Sequence, residues 1–286
     1  MNFEPLREME AFTNAMFDRI IAFQEGDQAA WKEDAAFDER IKGLPLHALV
    51  FSNPNRDPAK FGPTVSHFYP LREEMMRIAH FAQQLGENST VLDVHTRNGF
   101  VGSLLAREGA RVIGLRSSEE KPNQIKNFFD KENFELREGT LADIDFEVDI
   151  ALSSWMPAGE NMTPEILKLK PKMIVFIYTE HKDTSNDTPQ TGTPEAFENL
   201  PEQYKLIDHW MIRRPKDLFH EIWPDLTPSI EEERHVKIFA DEPYQNIKIP
   251  QADEDYALYD WEQELRMALL AHEAKNHLRA QGVHVR

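Results

Sequence analysis

The chain of 286 residues contains no cysteine. This absence excludes disulfide bonds, thiolate zinc ligands and a cysteine nucleophile, and it is compatible with a reducing compartment. Basic residues are also few, since 32 Lys and Arg stand against 50 Asp and Glu and leave a formal net charge of −18. Such a charge opposes close approach to nucleic acid unless the basic groups cluster, so the composition favours a small-molecule substrate over a nucleic-acid partner.

The sequence has no run that approaches the roughly 18 apolar residues of a membrane-spanning helix. Its first residues, MNFEPLREMEAF, lack the basic and apolar segments of a secretory signal. We therefore expect no membrane contact and a cytoplasmic location. A hydrophobic content of 41%, with 18 Phe and 5 Trp, predicts a packed globular core. Composition leaves the oligomeric state open, so a homo-oligomer or a protein partner stays possible.

The spacing of apolar residues and of proline divides the chain into three predicted segments. Residues 1–85 are predicted to form an N-terminal helical cap and a lid loop, because helical spacing gives way to a stretch rich in proline and glycine between Pro45 and Pro70. Residues 86–240 are predicted to form an α/β domain. Residues 241–286 are predicted to form a helical extension, with a helix over Asp253–Ala280.

Short runs rich in β-branched and aromatic residues alternate with helical segments in the middle of the chain. This alternation predicts crossover connections and an α/β fold with a doubly wound, mainly parallel sheet. Ligands in this architecture bind beyond the carboxyl ends of the strands. The predicted strands are Thr90–His95, Ala110–Leu115, Phe134–Gly139, Val148–Ser154 and Lys172–Tyr178, with two later strands in YKLIDHWMIRR and HVKIFA.

Metal chemistry has no visible ligand set in the sequence. The 11 histidines include no HExxH pair, and the FHEIW segment at His220 lacks a second histidine four residues after the first. We therefore predict no structural metal.

The first predicted strand leads into VLDVHTRNGFVGSLLAREGARVIGL, residues 91–115. Gly99 lets the backbone turn tightly before the helix that follows. This segment resembles the first motif of class I S-adenosylmethionine-dependent methyltransferases, VLDxGxGxG followed by a helix and a second strand. The resemblance extends from Leu85 to about Glu180. It implies a Rossmann-like methyltransferase fold, S-adenosylmethionine as cofactor and methyl transfer to an acceptor.

By this resemblance, a set of residues is expected to line the cofactor and methyl-transfer sites. Asp93 and Gly99 match the motif, whereas His95 and Arg97 replace its first two glycines and Arg116 stands where an acidic residue would bind the ribose. The other candidates are Glu119 for the ribose, Asp143 for the adenine, Ser153, Ser154 and Trp155 for the methyl-transfer site, His181 as general base and Tyr69 in the lid. Each also has a structural interpretation, such as a solvated acid, an aromatic cap on the sheet or an exposed loop histidine.

Two other interpretations stay open. TRNGFVG, residues 96–102, also resembles the glycine-rich TGxxGxxG turn of short-chain dehydrogenases, and that resemblance implies NADP, whose ribose phosphate Arg116 can bind in bidentate fashion. About 90 residues precede the first predicted strand, whereas that family normally begins with this strand. The other interpretation is a methyltransferase-like domain that binds no cofactor and serves as a binding or scaffold protein, which the replaced glycines and Arg116 favour.

Overall fold

A computed structural model describes the chain at residues 68, 70–97, 99–117, 133–182, 187–213, 233–249, 256–259, 262, 270 and 273–283. The chain divides into two compact units. One comprises Ser66–Arg214 and Ser229–Tyr256 and contains the sheet, and the other comprises Met1–Val65, Pro215–Pro228 and Ala257–Arg286. The predicted N-terminal helical cap lies outside the described residues, so the division into three segments stays a prediction.

Seven strands and four helices make up the described part of the sheet-containing unit. The strands are β1 (Thr90–Asp93), β2 (Arg111–Arg116), β3 (Phe134–Glu138), β4 (Ile150–Ser154), β5 (Met173–Tyr178), β6 (Lys205–Arg213) and β7 (Glu233–Ala240). The helices are α1 (Arg72–Leu85), α2 (Phe100–Arg107), α3 (Thr163–Lys168) and α4 (Pro194–Glu198), and the 3-10 turns are Leu141–Asp143 and Glu242–Tyr244.

The strands form one sheet in the order β3-β2-β1-β4-β5-β7-β6. All neighbours from β3 to β5 are parallel, whereas β7 runs antiparallel to both β5 and β6. This sheet confirms the predicted mainly parallel α/β architecture. The two late strands were predicted as strands, and the structure adds that the last of them inserts between β5 and β6.

The central strands β1, β4 and β5 are buried along their whole length. Continuous burial is expected for parallel strands that helices cover on both faces, and it explains why these runs are almost entirely apolar. Helices α3 and α4 pack on the face that carries Leu92 and Phe176. Helix α2 packs on the opposite face, where a Cβ atom at Gly102 would lie 3.2 Å from Val112 Cγ1. The sheet is therefore doubly wound, as predicted.

Asp149 fastens the amino ends of the central strands. Its Oδ2 atom accepts a hydrogen bond from the Thr90 N–H at 2.7 Å, and its Oδ1 atom lies 2.6 Å from Lys172 Nζ. The carboxylate thereby joins the start of β1 to the residue that precedes β5. This ion pair lies at the opposite edge of the sheet from the carboxyl ends.

Two predicted elements differ in the structure. His95, predicted as the end of a strand, lies in the turn after β1. The helix predicted for Asp253–Ala280 is wrong at residues 256–259, which are not helical. Glu262 is helical. Its carboxylate accepts a hydrogen bond from the Tyr259 N–H at 3.0 Å, and its own N–H donates to the Tyr259 carbonyl at 3.0 Å, as at a helix N-terminus. No helix within the described ranges is long and apolar enough to cross a membrane.

Replacement of Leu92 by alanine tests where the core lies. Leu92 is fully buried in β1, so Leu92→Ala is expected to lower the free energy of unfolding by about 2 to 5 kcal/mol. The matched control is Leu206→Ala, because Leu206 is 49% exposed on β6 and its truncation is expected to cost about 0.5 kcal/mol or less. Urea unfolding followed by circular dichroism measures both. Equal losses in the two variants would contradict the assignment of this core.

Candidate functional site

The sheet has a topological switch point between β1 and β4. From β1 the chain crosses to β2 on one side, and from β4 it crosses to β5 on the other, so the two connections diverge and leave a crevice at the carboxyl ends. The Val94 N–H donates to the Leu152 carbonyl at 2.9 Å, which holds the start of the first connection against β4. The residues that follow these two strands therefore form the candidate site.

Backbone hydrogen bonds hold the turn between β1 and α2. The Thr96 N–H donates to the Leu115 carbonyl at 3.3 Å, and the Gly99 N–H donates to the Thr96 carbonyl at 2.7 Å. Gly99 has a φ of 82°, which glycine adopts without strain, whereas Arg97 has a φ of 49°. Arg97 thus holds a left-handed conformation at a position where the motif has glycine.

The glycines around this turn make room for side chains of the protein itself. A Cβ atom would lie 2.8 Å from the Phe134 ring at Gly99 and 2.6 Å from it at Gly102. A Cβ atom at Gly114 would lie 2.5 Å from Thr96 Oγ1. These three glycines are therefore required by the packing of the turn and of α2 onto the sheet.

Asp93 ends β1 and is almost completely buried. Its Oδ2 atom lies beside the first turn of α2, since a Cβ atom at Gly102 would be only 3.2 Å away. The partial positive charge of a helix N-terminus favours a carboxylate in this place. The acid of the motif is thus held between the sheet and the start of α2.

His95 lies in the turn with its Nε2 atom buried and without a hydrogen-bond partner among the residues that the structure describes. Burial, together with the nearby positive charge of Arg97, lowers the pKa of His95 from 6.5 to about 4. The imidazole is therefore neutral at pH 7. One ring nitrogen of a neutral imidazole is an acceptor and the other a donor, which suits contact with a polar ligand.

Arg116 ends β2 and pairs with Glu138, its register partner at the end of β3. The Arg116 side chain is 11% exposed and that of Glu138 is 58% exposed. The cation expected at the ribose position is thus accompanied by a carboxylate one strand further along. The sequence analysis missed Glu138, because its pairing with Arg116 depends on the register of β2 and β3, which no local pattern specifies. Glu119, like Tyr69, lies outside the described residues.

Asp143 has a local role at the end of the 3-10 turn that follows β3. Its Oδ2 atom accepts hydrogen bonds from the Thr140 N–H at 2.7 Å and the Thr140 hydroxyl at 2.8 Å. These bonds lower the pKa of Asp143. The carboxylate caps its own turn, and its predicted contact with adenine stays a prediction.

Ser153, Ser154 and Trp155 emerge from β4 and are all buried. The Ser153 hydroxyl has no hydrogen-bond partner among the described residues. Trp155 has a φ of 60°, its N–H donates to the Ile177 carbonyl at 2.8 Å, and its ring stacks on Phe68 with 5.5 Å between centroids and 23° between planes. The aromatic wall at the end of β4 therefore has two rings, of which the sequence analysis named one.

His181 follows β5 by three residues. Its N–H donates to Thr179 Oγ1 at 3.2 Å, and its carbonyl accepts the Gln190 N–H at 3.0 Å, so the backbone is fixed on both sides. The His181 Nε2 atom is buried and has no hydrogen-bond partner within the described ranges. The imidazole is therefore held at the carboxyl edge with one nitrogen uncommitted, as a proton acceptor requires.

Two further histidines lie at this edge, and the sequence analysis assigned them no role. His209 Nε2 lies 3.4 Å from His235 Nδ1, with the two rings 9° from parallel, and His235 Nε2 lies 3.4 Å from Glu233 Oε1. Burial and the neighbouring His235 lower the pKa of His209. The insertion of β7 between β5 and β6 brings His209 and His235 together, which no sequence spacing signals.

Among the described residues, no group of three or more His, Asp or Glu side chains is arranged to hold a metal.

The predicted residues that the structure describes thus lie at or after the carboxyl ends of adjacent strands. Neighbouring strands are about 4.8 Å apart, so residues that follow the ends of adjacent parallel strands lie along the same edge of the sheet. In the order of the strands from β3 to β5, these are Asp143, Arg116, Asp93 with His95, Ser153 with Ser154 and Trp155, and His181. The switch point lies in the middle of this order.

No protein-family model and no curated protein matches the sequence. Solved structures do resemble the chain. One is the 1,6-didemethyltoxoflavin-N1-methyltransferase of Burkholderia thailandensis, with 15% identity over 59% of this chain and 79% of that one and a TM-score of 0.40. Another is the tRNA (uracil-54, C5)-methyltransferase of Pyrococcus abyssi, with 17% identity over 58% of this chain and 38% of that one and a TM-score of 0.35. Likeness at this level concerns the fold alone.

The low pKa of His95 has a measurable consequence. The His95 imidazole is expected to keep the NMR shifts of its neutral form from pH 7.5 down to pH 5, because its pKa lies near 4. Unfolded chains bind a proton to this histidine below about pH 6.5, so the folded state loses stability as the pH falls from 6.5 toward 4. His95→Gln is expected to remove both the signal and this part of the pH dependence. Exposed His80→Gln is the control, and a His95 midpoint near pH 6.5 would contradict its burial.

Proposed function

We propose that the chain is an S-adenosylmethionine-dependent methyltransferase that acts on a small-molecule acceptor. One observation carries the proposal. The turn VLDVHTRNG, with Asp93 buried and Gly99 in a left-handed conformation, opens into α2 at the switch point of a doubly wound sheet. Nucleotide cofactors bind at this point in open α/β sheets.

The residues at the ends of β1 and β4 fit a nucleoside cofactor. Buried polar atoms are normally hydrogen-bonded, yet the Ser153 hydroxyl and His95 Nε2 have no partner among the described residues. Both belong to residues at the carboxyl ends of the neighbouring strands β1 and β4. A polar ligand that supplies the missing partners would satisfy them, whereas an unfilled crevice leaves two buried groups at a cost of about 1 to 3 kcal/mol each.

The end of β2 fits such a cofactor in a different way from the motif. The resemblance places a carboxylate there to accept the ribose hydroxyls, and Arg116 occupies that position. Glu138 supplies a carboxylate at the end of the neighbouring strand and is oriented by its ion pair with Arg116. We assign Glu138, with Arg116 as its support, to the ribose end of the site.

S-adenosylmethionine supplies an activated methyl group on a positively charged sulfur when it is bound. The chain's own contribution is position and electrostatics. Trp155 offers an aromatic face, which attracts a cation, and Ser153 and Ser154 offer hydroxyls at the same strand end. His181 can accept the proton that a hydroxyl or amine acceptor loses, because its Nε2 atom is uncommitted at the carboxyl edge.

The acceptor is assigned to the small-molecule class on charge. A net charge of −18 repels phosphate backbones, and the described residues at the edge balance Arg116 with Glu138 and Arg213 with Glu233. An uncharged or basic small molecule suits this edge better. The cytoplasmic location stays a prediction.

A second candidate is a methyltransferase-like protein that binds a partner and no cofactor. The packing of Phe134 and Thr96 into the space above Gly99, Gly102 and Gly114 favours it, because these glycines are explained without a ligand.

The NADP alternative has less support. Arg116, the residue expected to bind the ribose phosphate of NADP, is engaged by Glu138.

Isothermal titration of the whole chain with S-adenosylmethionine, S-adenosylhomocysteine and NADPH tests the proposal. We expect micromolar binding of the first two, and we expect Ser153→Ala to weaken both about tenfold, because one hydrogen bond to the ligand is lost. Ser89→Ala is the matched control. Its hydroxyl is also buried, but it donates to the Ala82 carbonyl before β1, away from the crevice.

The outcomes separate the candidates. Binding that Ser153→Ala weakens and Ser89→Ala leaves unchanged supports the cofactor site at the end of β4. Selective binding of NADPH would replace the proposal with the dehydrogenase-like interpretation, and no binding of any of the three would leave the partner-binding protein as the better account.

A further inference from the structure

A fully buried ion pair links the first turn of α1 to the start of β7. Arg234 Nε lies 3.1 Å from Glu74 Oε1, and Arg234 Nη2 contacts Glu74 Oε2. The two side chains are 1% and 2% exposed, and they are 160 residues apart in the sequence. This pair is the Glu74–Arg234 clamp.

The clamp also holds the chain that leads into α1. The Leu71 N–H donates to Glu74 Oε2 at 3.0 Å, so the same carboxylate fixes the backbone before the helix. The Arg234 guanidinium carbon lies 5.0 Å from the centroid of the Phe68 ring, within the range of a cation–π contact. Phe68 is thereby fastened at the place where the chain enters the helix.

Phe68 carries this restraint to the candidate site. Its ring stacks on Trp155, and both rings are buried. Trp155 has a φ of 60°, a conformation that a residue with a large side chain holds only where the surroundings impose it. Direct contacts therefore connect the clamp to the carboxyl end of β4. They join Glu74 to Arg234, Arg234 to Phe68, and Phe68 to Trp155.

Stability alone is a poor explanation of the clamp. A buried ion pair gains little or nothing over well-packed apolar residues of similar volume, because removing two charges from water offsets their attraction. What a bidentate arginine does supply is direction, since the guanidinium and carboxylate fit in one orientation. That property suits a group that has to set the position of an aromatic ring.

We propose that Glu74 and Arg234 are positioning residues which, through Phe68, set Trp155 as the wall that receives the cationic sulfonium of the cofactor. The inference rests on the proposed function and deepens it, because it predicts that this wall makes the site bind a charged ligand more tightly than an uncharged one. Neither Glu74 nor Arg234 needs to touch the ligand. Both act by fixing the orientation of the Phe68 and Trp155 rings.

The test compares S-adenosylmethionine, which carries the sulfonium charge, with uncharged S-adenosylhomocysteine. In the double variant Glu74→Leu/Arg234→Met, which keeps the volume and removes both charges of the pair together, affinity for the charged ligand is expected to fall about tenfold and affinity for the uncharged one about twofold. Phe68→Leu is expected to reproduce this change. Phe68→Tyr keeps the ring and is expected to restore the ratio of the two affinities.

The matched control is Asp149→Leu/Lys172→Met at the amino edge. Asp149 also accepts a backbone N–H and pairs with a basic side chain, so this change removes the same kinds of contact far from the carboxyl ends. It is expected to alter the melting temperature without altering the ratio of affinities. Equal losses for both ligands in the clamp variant, or none in a folded clamp variant, would overturn the inference.

A second measurement needs no ligand. The fluorescence of Trp155, obtained as the difference between each protein and its Trp155→Phe derivative, is expected to change in Glu74→Leu/Arg234→Met and in Phe68→Leu but not in the amino-edge control. If the unaltered chain binds neither ligand, the proposed function fails, and this fluorescence still decides the positioning. An unchanged Trp155 signal in a folded clamp variant would refute it.

Discussion

Burial of β1, β4 and β5 on both faces is the constraint from which the rest of the molecule follows. Strands without a solvent face cannot carry unpaired polar side chains along their length, so polar groups gather where the strands end. At the amino ends, Asp149 meets this condition with a backbone N–H and a lysine. At the carboxyl ends, several buried polar atoms have no such partner in the described structure, which is why we propose that a ligand binds at that edge.

The same constraint explains how much of the fold could be predicted from the sequence. Each of the five parallel strands was predicted within two residues of its observed bounds. For β1, β4 and β5 the reason is that fully buried parallel strands appear as continuous apolar runs. His95 was placed in a strand because VLDVH continues the apolar pattern. The turn that removes it from β1 depends on the Thr96 N–H reaching the Leu115 carbonyl, a contact between elements that no local pattern contains.

The candidate site was predictable to the extent that it depends on the ends of strands. Asp93, Ser153 and Trp155 lie together because β1 and β4 are neighbours, which the fold class implies. Glu138, Phe68 and the Glu74–Arg234 clamp could not be found in the same way. They are contacts between residues distant in sequence, and their chemistry is ordinary until the register or the approach of a segment brings them to the crevice. Gly99 was singled out from the sequence as the place of a tight turn, but the Phe134 ring that lies against it comes from β3.

The position of β7 between β5 and β6 has a consequence for how the molecule assembles. β6 is synthesised before β7, the strand that joins it to the sheet. The edge of β5 therefore stays unpaired until β7, which ends at residue 240, has left the ribosome. An unpaired apolar edge is a template for association with other chains. Arg234 lies in β7, so its ion pair with Glu74 forms only when β7 joins the sheet. Completion of the carboxyl edge and protection of the β5 edge from aggregation therefore depend on the same strand.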